Sequence, residues 1–231
     1  DSLQQGGLGD CTTLSTLGAV ERATPGFLAS HIQPNPDNGT YTVTLYDKDG
    51  NPVKVTVDSS LPAGPDGTGG YANGSQPGEP MTTYQIYEKA VASASARGII
   101  DLNDNRPGYN DLNGVALDSV ASAVTGSPTE YRDNSGSALS PADINSRIAG
   151  GHAINTAISV PVPNGDPTIA QWVSGSGPLY TGHAYTVMGV TEVDGVQMVQ
   201  LKNPWGPGYD VQVPYNDWKK VCYGTSTSAT R

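Results

Sequence analysis

Gln5-Gly6-Gly7-Leu8-Gly9-Asp10-Cys11 runs directly into Thr12-Thr13-Leu14-Ser15-Thr16-Leu17. Leu14, Leu17, Gly18 and Glu21 fall at helical spacing from Cys11, and Thr24-Pro25-Gly26 closes the segment, so a helix is predicted over 11–22. Cys11 then lies in the first turn, where unpaired N–H groups and the positive end of the helix dipole favour a thiolate. Far downstream stand Gly182-His183-Ala184-Tyr185 and Asn203-Pro204-Trp205-Gly206. A thiol, an imidazole and an amide are the parts of a nucleophilic site in which the thiolate attacks and the imidazole carries the proton.

Spacing alone brings the last two together. Residues 183–193 and 196–202 alternate in polarity around Asp194-Gly195, a hairpin turn signal. In a hairpin centred there, residue 203 opposes 185 or 186, within two or three positions of His183. The two side chains share a face if the loop holds an odd number of residues or a bulge corrects the register. The β-rich part must then dock on the helix of Cys11, placing the site in a cleft.

Elsewhere, 41–46 and 53–57 alternate about Asp47-Lys48-Asp49-Gly50-Asn51 and predict a second hairpin. Residues 61–80 form a Gly/Pro-rich loop. Thr82 and Gln85 have capping-box spacing and open a helix to about Arg97, with Tyr84, Tyr87, Val91 and Ala94 on its buried side. The stretch 99–113 is polar and irregular, and a short helix runs through Leu117, Val120, Ala121 and Val124. After a Ser/Gly-rich tract at 125–139, Ser140-Pro141 starts another helix. Strands are expected at 153–160, 183–193, 196–202 and 209–213. The fold class is α+β, with helices and a hairpin in 1–114 and a mostly β half in 115–231, and the boundary falls near 114–130.

Composition bounds the function. The 231 residues include 29 Gly and 18 Pro but only one Phe, which describes a loop-rich yet folded chain. A net charge of −10 with only 12 Lys and Arg leaves no basic stripe for nucleic acid or an anionic membrane. No apolar run approaches the ~20 residues that span a bilayer. Few lysines with abundant Gly, Ser, Thr and Asn fit an exported or cell-surface protein. The glutamine motif lies so near residue 1 that a segment of a longer chain is expected. Two cysteines, Cys11 and Cys222, admit two readings: a disulfide joining the chain ends, or a nucleophile with an unrelated free thiol.

The blocks around Cys11, His183 and Asn203 resemble the core of the calpain-type cysteine proteases, a branch of the papain-like enzymes. Gln5-Gly-Gly-Leu-Gly-Asp-Cys11 is similar to the calpain stretch Gln-Gly-Ala-Leu-Gly-Asp-Cys, with the same glutamine-to-cysteine spacing. Glu88-Lys89-Ala90, Tyr109-Asn110-Asp111-Leu112-Asn113-Gly114 and the His and Asn blocks have counterparts in the same order, so the resemblance covers most of the chain. It implies a two-lobed papain-like core, a helical lobe holding the thiol and a β lobe holding His and Asn. It further implies Cys11 as nucleophile, His183 as proton carrier, Asn203 as the amide orienting it, and Trp205 as a cover over that pair. The Gln5 amide and the Cys11 N–H would form the oxyanion hole. Protein or peptide substrates, a monomer and no required cofactor follow.

This chain departs from calpains at several positions. Thr12 stands where calpains carry Trp directly after the nucleophile, and a second calpain Trp falls near Thr83. Calpain cores bind calcium in each lobe. Ser2, beside Asp1, takes the place of one acidic ligand there, and Glu79 matches another only with a two-residue shift, so calcium dependence is not expected. A silent protein-binding module and a papain-fold amidase or transferase are the rival functions.

Weaker signals have plainer readings. Asp101-Leu102-Asn103-Asp104-Asn105 alternates oxygen ligands, but Arg106 and Leu112 stand where a calcium loop needs Gly and Glu, so a polar turn is expected. His31 is placed in an exposed loop, and His152, entering a strand, is a rival base. Trp172, in the loop 161–181 before His183, is a candidate for gating substrate.

Overall fold

Thirteen residues, Cys11–Ala23, form helix α1, and both halves of the chain are built on it. The computed structural model describes residues 3–61, 72, 80–102, 108–133, 136–158 and 179–230. On one side of α1, Leu14, Leu17 and Val20 enter an apolar cluster with α2 (Phe27–Ser30), β2 (Thr40–Tyr46), β3 (Pro52–Asp58), α3 (Thr83–Ala96) and α4 (Ser119–Thr125). Strand β1 (Ile32–Asn35) completes an antiparallel sheet of order β1-β2-β3. The capping box expected at Thr82 is present, with Gln85 N–H on the Thr82 hydroxyl and Gln85 Oε1 accepting from Thr82 N–H. Tyr84, Tyr87, Val91 and Ala94 are all buried, as their spacing predicts.

The other side of α1 lies on a six-stranded antiparallel sheet of order β4-β9-β5-β6-β7-β8. Its strands are β4 (Thr129–Asp133), β5 (His152–Ile158), β6 (His183–Val193), β7 (Val196–Lys202), β8 (Val211–Pro214) and β9 (Cys222–Ala229). Helix α5 (Pro141–Ala149), capped by Ser140 with Pro141 at its first position, and α6 (Tyr215–Val221) close a second apolar cluster around Trp218 and Tyr185.

The seam between α1 and this sheet is polar. Thr186 Oγ1 donates to the Ser15 carbonyl at 2.7 Å, and Asn155 Nδ2 donates to Thr16 Oγ1 at 2.7 Å. All four residues are buried, so a lost partner leaves a desolvated group at about 1–3 kcal/mol. Gly18 lets the helix come this close: a Cβ there would stand 3.0 Å from Thr186 Oγ1 and 3.3 Å from Leu3 Cδ2. These bonds fix the helix against β5 and β6.

The hairpin β6–β7 turns through Asp194-Gly195, both residues at positive φ, with Val193 opposite Val196. A two-residue loop alone would put Asn203 opposite Thr186 and on the wrong face. A bulge between Val187 and Gly189 shifts the register so that Thr186 pairs with Lys202. Asn203 thereby falls level with Tyr185, on the same face as His183. The extra residue does what the even-numbered turn cannot.

Several elements lie where irregular chain was expected. The polar stretch before Asn113 contains a 3-10 helix at Gly108–Leu112, and the Ser/Gly-rich tract contains β4. Strand β9, α2, β1 and α6 were not legible as regular structure. His31 is half-buried rather than exposed, because its ring stacks on Phe27 at 4.2 Å and Nδ1 bonds the Phe27 carbonyl. Most of the loops 61–80 and 161–181, and all of Asn103–Pro107, lie outside the described residues.

Candidate active site

Cys11 is the first residue of α1, and its thiol packs against Leu117, Ala157 and Ala184. Ala184 comes one residue after His183, and its backbone N–H acts on the sulfur. Burial pushes the thiol up from its ordinary value, while the Ala184 and Thr12 N–H groups pull it down and Asp10 raises it further. Thr12, directly after the thiol, is buried. Both cysteines are free. Cys222 is buried on β9, with its sulfur 2.7 Å from Thr156 Oγ1 and 3.3 Å from the Gly224 carbonyl, which settles the disulfide question against a bridge.

His183 begins β6 and pairs with Ile158 of β5. Its Nε2 donates to Asn203 Oδ1 at 2.8 Å. The Trp205 backbone N–H donates to the same oxygen at 2.9 Å, so two donors identify that atom as the amide oxygen. The proton therefore sits on Nε2, and Nδ1 keeps its lone pair for a thiol. Asn203 is fully buried, and its own N–H is held by Asp210 Oδ1 at 2.9 Å. Burial pushes the imidazole below its ordinary value, partly offset by the Asn203 bond that favours its charged form.

Trp205 covers the pair, its ring 4.4 Å from that of His183. Tyr180 and Tyr209 pack edgewise on Trp205 at 4.4 and 5.7 Å, and Tyr185 packs edgewise on His183 at 5.0 Å. Tyr185 also accepts the Tyr180 N–H through its hydroxyl at 2.8 Å, fastening the aromatic wall. Such a wall keeps water from the imidazole–amide bond, which strengthens it in the lower local dielectric.

Gln5 is tied to the same place from the other half of the chain. Its backbone N–H donates to the Pro204 carbonyl at 2.6 Å, between Asn203 and Trp205. Its side-chain Nε2 donates to the Leu8 carbonyl at 2.6 Å. A primary amide has two N–H bonds, and this bond uses one of them.

The rival base is remote. His152 lies at the end of β5 opposite Ile158, with Nδ1 on the Arg147 carbonyl at 3.1 Å. Asp47 Oδ1 accepts the N–H groups of Asp49 and Asn51 at 2.9 Å each, so that acidic run is a hairpin turn. Among the described residues no group of three or more His, Cys, Asp or Glu side chains could hold a metal ion, and no helix is long and apolar enough to cross a membrane. Trp172, Asp1, Ser2 and Glu79 lie outside the described residues. Sequence reasoning missed Tyr180, Pro204 and Asp210 as supports, since hydrogen bonds to backbone atoms leave no spacing signal.

A family model described as calpain family cysteine protease matches residues 1–222. The calpain-type cysteine protease DEK1 of Zea mays is 29% identical over 221 residues, and that of Arabidopsis thaliana is 26% identical. The calpain-type cysteine protease ADL1 of Oryza sativa subsp. japonica is 29% identical. In each case the match covers 92% of this chain but only 9% of the relative.

Proposed function

The chain belongs to the calpain family of cysteine proteases, and from that premise we propose that it is a cysteine endopeptidase built as a two-lobed, papain-like core. Cys11 is the nucleophile. His183 Nδ1 takes the thiol proton, and the thiolate sulfur adds to the scissile carbonyl carbon. The C–N bond then breaks as the imidazolium gives its proton to the leaving amine, leaving a thioester. Water, deprotonated by the same imidazole, adds to the thioester and releases the acid and the thiol.

The remaining residues serve that cycle. Asn203 holds the imidazole with Nδ1 toward the sulfur, and Trp205 shields the bond. The second proton of the Gln5 amide and the Cys11 N–H receive the carbonyl oxygen as it becomes negative, each worth roughly 3–4 kcal/mol at such sites. Trp172 gates substrate from the loop before His183. Substrates are proteins or peptides, the working unit is a monomer, and neither calcium nor another cofactor is required.

The observation carrying this reading is the 2.8 Å bond from His183 to Asn203 beside a free thiol at a helix N-terminus. A silent binding module has no use for a tautomer fixed by two converging donors. The test is cleavage of an unfolded protein substrate with calcium chelated, beside a Cys11→Ala control. Time-dependent fragments lost in the control support the proposal. Reaction with small amides or acyl transfer in place of peptide cleavage would favour the amidase or transferase reading.

A further inference from the structure

We propose that Asp10 and Glu88 form a proton-sharing carboxyl pair that positions the Gln5 amide and the Cys11 N–H, and that the site fails when the shared proton is lost. The inference deepens the endopeptidase reading and rests on it.

Both side chains are fully buried, Asp10 at the cap of α1 and Glu88 on α3. The two carboxyls stand close enough to act on each other. Among the described residues, neither oxygen of Asp10 meets an N–H or O–H donor, nor does Glu88 Oε1. Two bare carboxylates in that setting would face desolvation and mutual repulsion together. Glu88 Oε2 accepts the Ala72 N–H at 2.9 Å, a donor where a bound cation would need an acceptor. A shared proton satisfies the pair as it stands.

The location gives the pair its effect. Asp10 directly precedes Cys11, and the Gln5 amide is among the groups that act on its carboxyl. Gln5 is in turn fastened to Leu8 and to Pro204. Both oxyanion donors thus stand on a segment held at its base by this carboxyl pair. With one proton, the pair carries a single negative charge. With none, a second charge appears behind the groups that must receive a developing oxyanion, and Asp10 and Glu88 push apart.

The neighbouring titratable groups do not supply a countercharge. Cys11 adjoins Asp10 on α1. Asp111 and Tyr109 stand on the 3-10 helix packed on α3, and Tyr87 is on α3 itself. Lys89 points to Asp58 and Ser60. No Lys or Arg among the described residues acts on either carboxyl. Burial, then Asp10 itself, raises Glu88, and burial raises Asp10, so the pair keeps its proton at neutral pH.

The experiment measures kcat and KM on one peptide from pH 5 to 10 for the wild type, Glu88→Ala, Glu88→Gln and Asp10→Asn. Labelling of Cys11 by a peptidyl epoxide and thermal unfolding are followed in parallel. Glu88→Ala should lower kcat at least ~10-fold with KM little changed, since oriented donors act on the transition state. Glu88→Gln should restore kcat, because its amide donates to Asp10 as protonated Glu88 does. It should also lose the alkaline fall in kcat that the wild type shows. Asp10→Asn, which keeps the shape, serves if Glu88→Ala does not fold, and it should likewise lack that alkaline fall. A Glu88→Gln enzyme as poor as Glu88→Ala, or one with the wild-type alkaline limb, overturns the proposal. A wild type that takes no label overturns the endopeptidase reading and this one with it.

Discussion

Asn145 grips Val190 with both ends of its amide: Nδ2 donates to the Val190 carbonyl at 2.8 Å, and Oδ1 accepts the Val190 N–H at 2.8 Å. Asn145 belongs to α5, and Val190 follows the bulge that sets the register of β6 on β7. A helix side chain thus holds open the irregularity that puts His183 and Asn203 on one face.

Asn145→Ala should therefore damage activity from a distance. Two backbone groups lose their partner, at about 1–3 kcal/mol each if water does not replace it. A small shift of the imidazole can lower kcat by up to about 100-fold. The measurement is kcat beside hydrogen exchange at Val190. Faster exchange with unchanged kcat would separate the bulge from the site.

His183 should titrate below an ordinary histidine, because burial disfavours the imidazolium more than the Asn203 bond favours it. A depressed pKa means the folded state binds fewer protons, so this group's stabilising contribution is lost as pH falls below about 6.5. NMR titration of His183 should give a lower midpoint still in Asn203→Ala, where the bond is gone. Activity should fall less in Asn203→Ala than in His183→Ala, since the amide orients while the imidazole reacts. Equal losses would argue against that division.

Gln5→Ala should lower kcat by about 100- to 1000-fold with KM nearly constant, the signature of a donor used only in the transition state. Steady-state kinetics on a single peptide decides it. A rise in KM alone would make Gln5 a substrate contact instead.

Stability should report the buried pair independently of catalysis. Raised carboxyl pKa values mean the folded state holds protons the unfolded chain releases, so their contribution is full below about pH 4 and is lost as pH rises. Glu88→Gln removes one of these titrations. Its stability relative to wild type should grow with pH by at most about 1.4 kcal/mol per unit, read by denaturant unfolding at several pH values. A gap independent of pH would show that Glu88 is ionised in the fold.

The legible parts of this molecule were those whose signal is local. Helix α1 is announced by Leu14 and Leu17, α3 by Thr82 and Gln85, and the β6–β7 turn by Asp194-Gly195. The family blocks carried the thiol, imidazole and amide. Strand β9 was not legible because it is central yet reads polar: Thr225, Ser226, Thr227 and Ser228 are all buried between β4 and β5. Their small side chains suit the close approach of α4, where Thr125 Oγ1 lies 2.9 Å from Ser228 Oγ. The bulge was legible only as one of two ways to share a face. The meeting of Asp10 with Glu88 comes from helix packing across 78 positions of sequence, for which no period exists.

The central claim is that Cys11 is a working nucleophile, and covalent labelling tests it most directly. The intact mass of the protein is measured after exposure to a peptidyl epoxide at neutral pH with calcium chelated, and the adduct is mapped by peptide mass. The account predicts a single adduct, on Cys11, formed far more slowly in His183→Ala. No adduct with or without calcium, or an adduct confined to Cys222, would contradict it.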